Sequence, residues 1–95
     1  MPSVTRLGDN CTGHDACGGT PLISGSPNVF VNSKACGRVG DKYASHGCIT
    51  HSAHNDNIAQ GSSTVKVNGI SIARVGDSVS IGGSVASGSP NVNAG

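Results

Sequence analysis

Two stretches concentrate the side chains able to hold a metal or act as a nucleophile. They are Cys11-Thr12-Gly13-His14-Asp15-Ala16-Cys17 and His46-Gly47-Cys48-Ile49-Thr50-His51-Ser52-Ala53-His54. Between them they contain all four histidines of the chain and three of its four cysteines. Imidazole and thiolate are the ligand types of tetrahedral zinc sites. His46 and Cys48 stand two apart, which puts both on one face of an extended segment. His54 lies on the return of the same loop, and His14 would arrive from the other stretch. Those four form a closed set that would tie two parts of the chain through one ion. His51 competes for a place and could replace Cys48 or His54, and Cys11 and Cys17 are further candidates. Cys36 stands outside both stretches and reads as a buried structural thiol.

The same residues admit a catalytic reading, in which a Cys–His pair supplies a nucleophile or a three-ligand zinc activates water. A small metal-dependent hydrolase or toxin is therefore the alternative to a structural site. Against it stand three features. The chain has 95 residues, too few to frame a substrate pocket of several hundred cubic ångströms. It contains no Glu, and only Asp15 and Asp56 lie near the cluster as acids. Four protein ligands would also leave the ion no open position. The expectation is no enzyme, no small-molecule substrate and no catalytic residue.

Composition explains why a staple would be needed. Only 35% of the residues are hydrophobic, with one Phe (Phe30), one Tyr (Tyr43) and no Trp, while Gly, Ser and Asn make up 37 of the 95. A chain of this size buries a limited share of its surface, and small scaffolds add disulfides, a metal or oligomerisation. The absence of an apolar N-terminal run predicts no secretory signal and folding in a reducing compartment, where Cys beside His favours metal over disulfides. A net charge of +1 offers no field for nucleic acid, and nothing approaches a membrane span.

The elements that must position the cluster come from an internal repeat. Arg-x-Gly-Asp occurs as Arg6-Leu7-Gly8-Asp9, Arg38-Val39-Gly40-Asp41 and Arg74-Val75-Gly76-Asp77. Each is followed by a variable insert and then by Gly-Ser, in Gly25-Ser26-Pro27-Asn28-Val29-Phe30-Val31-Asn32, Gly61-Ser62-Ser63-Thr64-Val65-Lys66-Val67-Asn68 and the shorter Gly88-Ser89-Pro90-Asn91-Val92-Asn93. Val29 and Val31, like Val65 and Val67, alternate as in half-buried strands. Asn68-Gly69 is a hairpin turn signal, with Ile70 and Ile72 returning, and Asn32-Ser33 is its weaker counterpart. Val79 and Ile81 suggest a further short strand. In each Arg-x-Gly-Asp word the Gly allows positive φ and the Asp can cap a turn or pair with the Arg. The whole chain, 1–95, reads as one all-β domain of short strands and hairpins with pseudo-three-fold internal symmetry, suited to sit on the axis of a trimer.

These repeated words, the Gly-His and His-x-Cys inserts, and the C-terminal Gly-Ser-Pro-Asn-Val together resemble the PAAR-repeat family over essentially the whole chain. The family's Pro-Ala-Ala-Arg tetrad corresponds to Ser3-Val4-Thr5-Arg6, Ala35-Cys36-Gly37-Arg38 and Ser71-Ile72-Ala73-Arg74, with only the Arg kept throughout. The resemblance implies a small cone with a structural zinc ion near its apex, held by three His and one Cys. By position these are His14, His46, His54 and Cys48. Where many relatives carry Cys-Gly after the third Gly-Asp, this chain has Ile81-Gly82, which brings Cys48 and His51 forward. It further implies a base seated on a trimeric β-helical spike, one tip per trimer, piercing a target membrane for a contractile phage tail or a type VI secretion system. The phage tail is favoured. The chain would then sit at the spike tip in a virion, or wait in the cytoplasm until delivered.

Overall fold

At Asn68-Gly69 both residues have positive φ (56° and 75°), the geometry of the two-residue hairpin turn that suits twisted strands. The turn joins β5 (Lys66–Val67) to β6 (Ile70–Ser71) as an antiparallel pair. Asn32 and Ser33 make the same turn, with φ of 52° and 66°, between β1 (Phe30–Val31) and β2 (Lys34–Ala35). The third two-stranded unit is β3 (His46–Cys48) with β4 (His51–His54). The computed structural model describes residues 1–13, 18–48, 51–80 and 82–95, with 46–48 and 51–54 described in their backbone alone. No helix occurs among the described residues.

A third hairpin equivalent to β1–β2 and β5–β6 is assembled from the two ends of the chain. Ser3 bridges Asn93 just as Ala35 pairs with Phe30 and Ser71 with Lys66. The N–H groups of Val4, Cys36 and Ile72 donate to the carbonyls of Val92, Val29 and Val65 at 2.9, 3.0 and 3.0 Å. Residues 3–6 thus supply the return strand that the third Gly-Ser word lacks. Gly95 and Met1 stand where Asn32-Ser33 and Asn68-Gly69 stand in the other two repeats.

The three repeats close into a ring. The N–H of Thr5 donates to the carbonyl of Ala73 (3.1 Å), that of Ala73 to Gly37 (3.0 Å), and that of Gly37 back to Thr5 (3.0 Å). This cycle lies at the third position of the three tetrads and explains their degenerate sequence. What the position requires is small size. A Cβ added to Gly37 would meet Thr5 Cγ2 at 2.6 Å and Leu22 Cδ2 at 3.0 Å, so one Thr, one Gly and one Ala fill a space that three larger side chains would overfill.

Core side chains stack on the two sides of this ring. One cluster contains Cys11, Leu22, Tyr43, Ile58, Val79 and Val85, two residues from each repeat, together with Ala73. The other contains Val4, Val31, Cys36, Val67, Ile72 and Ala94. Of the strand residues that alternation leaves undivided between inside and outside, Val31, Val67 and Ile72 are buried, whereas Val29, Val65 and Ile70 are exposed. Cys36 is completely buried, as its position between a hairpin and the ring requires. Val79 bridges Ile58 as an isolated pair, and Ile81, expected to share its strand, lies outside the described residues.

Candidate metal centre

The repeated Arg-x-Gly-Asp words set the inserts in place. In each, the Asp N–H donates to the Arg carbonyl across a tight turn, at 2.9, 3.0 and 3.0 Å for Asp9, Asp41 and Asp77. The Gly at the third position has φ of 91°, 93° or 95°, as a type II turn demands. The carboxylate then performs both roles open to it. One oxygen accepts the Arg backbone N–H and Nε, and the other accepts Nη2, the latter at 3.1, 3.1 and 2.9 Å. Two parallel charge-assisted bonds are the strong form of this contact, and the hydrogen bond to Asp raises the pKa of each guanidinium.

Two residues after each Asp the chain reaches the foot of an insert. The feet are closed in the same way, by N–H donation from Cys11 to the Thr20 carbonyl, Tyr43 to Asp56 and Val79 to Gly83, at 3.1, 2.9 and 3.2 Å. They are also tied to one another in a cycle: Thr12 N–H to the Ser84 carbonyl, Ser80 to Asn57 and Ala44 to Pro21, each at 2.8 Å. Gly83 packs so closely on the Gly13 carbonyl that a Cβ there would clash. Ser84 N–H also donates to Thr12 Oγ1 at 2.9 Å. All three inserts therefore leave the body at one level, on the side of the ring away from the hairpin tips.

The feet of the two inserts that carry the sequence-nominated ligands therefore stand side by side. His46 follows Ala44 by two residues, and His14 follows Thr12 by two, so the two occupy corresponding offsets from equivalent feet. Across β3–β4 His46 is the register partner of His54, and Cys48 that of His51. Four of the donor-bearing residues thus share one short hairpin. The register shifts between His46 and Cys48, so the two-residue alternation read from the sequence does not run unbroken through them. His14 and Cys17 lie outside the described residues, as do the side chains of His46, Cys48, His51 and His54. The chemistry of this set, imidazoles and a thiolate carried by adjacent inserts, fits a zinc ion.

The remaining cysteines have structural surroundings. Cys11 and Cys36 are buried free thiols. Burial, reinforced by Asp41 and opposed by Arg38, pushes the Cys36 thiol up to about 11, which disfavours the thiolate that metals bind. Cys11 lies in the core cluster against which Val39 and Val75 pack.

At the opposite end are residues that the sequence did not single out. Ser26, Ser62 and Ser89 each accept from the backbone N–H three residues on, Val29, Val65 or Val92, at 2.9 Å. Ser26 donates onward to Asn68 Oδ1 and Ser89 to Asn32 Oδ1, both at 2.6 Å, and Ser62 donates to the Gly95 carbonyl. Each Gly-Ser word therefore latches the tip of another repeat's hairpin. The recurrence of Ser in this word was the available signal. Around these latches lie most of the exposed large apolar residues among those described, namely Met1, Val29, Phe30, Val65 and Ile70.

Among known families, the PAAR motif matches residues 12–87. No curated protein matches the chain.

Proposed function

The chain belongs to the PAAR-motif family, and from that membership we propose that it is the tip of a trimeric β-helical spike, stapled at its far end by one structural zinc ion. Membership of this family supports a spike-tip role in a contractile injection machine and association with a spike protein. It also favours a structural part over an enzyme. The observation that carries the finer reading is the closed cycle of Thr5, Gly37 and Ala73: a monomer with three-fold backbone symmetry can meet all three chains of a trimer in equivalent ways. One tip would then serve one trimer, with the hairpin end as its base and the inserts leading. Burying Val29, Val65 and Phe30 against the spike would also remove apolar surface from water.

At the leading end His14, His46, Cys48 and His54 are the proposed ligands, with His51 the competitor for Cys48 or His54. Zinc would supply a cross-link between two inserts where the aromatic-poor core cannot, and four protein ligands would make the site structural. Such a tip would sharpen the spike for transient piercing of a target membrane. The machine is proposed to be a phage tail baseplate before a type VI secretion system, with the chain in the virion at the spike tip or held in the cytoplasm until delivery.

Two measurements test the proposal. Mixing the chain with the trimeric β-helix fragment of its spike should give a complex of one chain per trimer by light scattering; no complex would overturn the tip assignment. Elemental analysis should find one zinc per chain, lost in His14→Ala, His46→Ala, Cys48→Ala and His54→Ala and retained in His51→Ala. Full zinc and unchanged melting in Cys48→Ala would replace Cys48 as the ligand.

A further inference from the structure

The three hairpins repeat each other in backbone but differ sharply at one position. Phe30, Lys66 and Asn93 are register equivalents, standing opposite Ala35, Ser71 and Ser3 respectively. In two repeats the pair is polar and satisfies itself: Lys66 Nζ donates to Ser71 Oγ at 3.2 Å, and Ser3 Oγ to Asn93 Oδ1 at 3.4 Å. In the first repeat the pair is Phe30 with Ala35, which has no polar group to engage. Phe30 is 61% exposed, the most exposed large apolar side chain after Met1 among the described residues, and it is the only Phe of the chain. The preceding position is nearly uniform, with Val29, Val65 and Val92 in the three repeats, two of them 37% and 36% exposed.

A partner of true three-fold symmetry presents the same surface to all three of these positions. The valine ring can meet it equally in each repeat. The next position cannot, because an aromatic ring, an ammonium group and an amide have incompatible requirements of one apolar or polar recess. Aromatic residues at the centre of a desolvated contact commonly dominate binding, while their polar neighbours contribute little. We infer that Phe30 is the specificity-determining anchor of the docking face, that the spike end offers three equivalent apolar recesses, and that this chain fills one of them. The inference rests on the spike-tip reading above.

Binding to the trimeric β-helix fragment, measured by calorimetry on the zinc-loaded chain, tests it. Phe30→Ala should weaken binding 30-fold or more, with the melting temperature held because the side chain is exposed. Lys66→Ala and Asn93→Ala should stay within about threefold. Lys66→Phe should tighten binding about tenfold by filling a second recess. Wild-type affinity in Phe30→Ala would overturn the anchor, and no gain in Lys66→Phe would overturn the three equivalent recesses. Failure of the unaltered chain to bind would instead overturn the spike-tip reading itself.

Discussion

The ring of Thr5, Gly37 and Ala73 constrains its single residues by side-chain size. A methyl group at Gly37 meets Thr5 Cγ2 first, so Gly37→Ala should destabilise the fold by about 1–3 kcal/mol, the usual cost of overpacking. Thr5→Ser removes Cγ2 but keeps the hydroxyl that donates to the Ser87 carbonyl at 3.0 Å. The double variant Thr5→Ser/Gly37→Ala should therefore recover much of the loss in urea melts, and additive losses would refute the steric account. Tyr43 presents a different residue-level cost. It is fully buried and its hydroxyl has no hydrogen-bond partner of normal geometry. Burial, with smaller contributions from Cys11 and Asp9 and an opposing one from Thr5, raises its phenol above the usual 10. A group raised in the folded state stabilises fully below its unfolded pKa, and that contribution is lost as pH climbs towards the folded value. Stability should thus fall above about pH 9, where Cys36 begins to contribute (from 9.0 to about 11), and more steeply above pH 10. Tyr43→Phe should be neutral or stabilising at pH 7, since it removes an unpaired buried hydroxyl, and should flatten the decline above pH 10 in pH-dependent melts. An unchanged alkaline slope would exclude Tyr43 as its source.

Among the elements, one turn is used three times. In each copy an Asp closes a positive-φ Gly turn and grips its Arg through two nitrogens. Asp41→Ala should cost about 1.5–3 kcal/mol, the range for hydrogen bonds to charged groups, and Asp9→Ala and Asp77→Ala should fall in the same range by denaturant midpoint. A negligible cost would reduce the turn to a surface ion pair. These turns were legible in the sequence because their requirements are local: Gly for the dihedral, Asp for the cap, Arg for the charge. The hairpin at Asn68-Gly69 was legible for the same reason. Alternation put Val29 and Val31 on one face of a strand, yet Val29 is exposed and Val31 buried, because the strand begins only at Phe30 and burial depends on the ring that the hairpin packs against. The small residue at Gly37 and Ala73 had no local signal at all; it is imposed when three copies converge. Likewise the two inserts could be nominated as ligand carriers from their His and Cys content. Their emergence at one level became visible only through the cyclic bonds from Thr12, Ala44 and Ser80.

At the scale of the molecule, the three repeats form a cycle drawn with a linear chain, and the pairing of residues 3–4 with 92–93 completes it. The first strand therefore cannot find its hairpin partner until residue 92 is present, an interaction of large sequence separation that slows folding. There is also a constructive consequence. Ala94 N–H donates to the Pro2 carbonyl at 3.0 Å, and in the other two hairpins the positions between are filled by a two-residue turn, Asn32-Ser33 or Asn68-Gly69. Gly95 and Met1 occupy the two positions of that turn, although Gly95 lacks the positive φ of Asn32 and Asn68. Joining them directly, with no linker, should give a circular protein of unchanged fold. Closing a loop of this length restricts the unfolded chain enough to stabilise by on the order of 4 kcal/mol, measurable by urea denaturation of the ligated and open forms. Reopening the circle between Asn32 and Ser33 should return the same architecture, because the backbone distinguishes none of its three hairpins as the first.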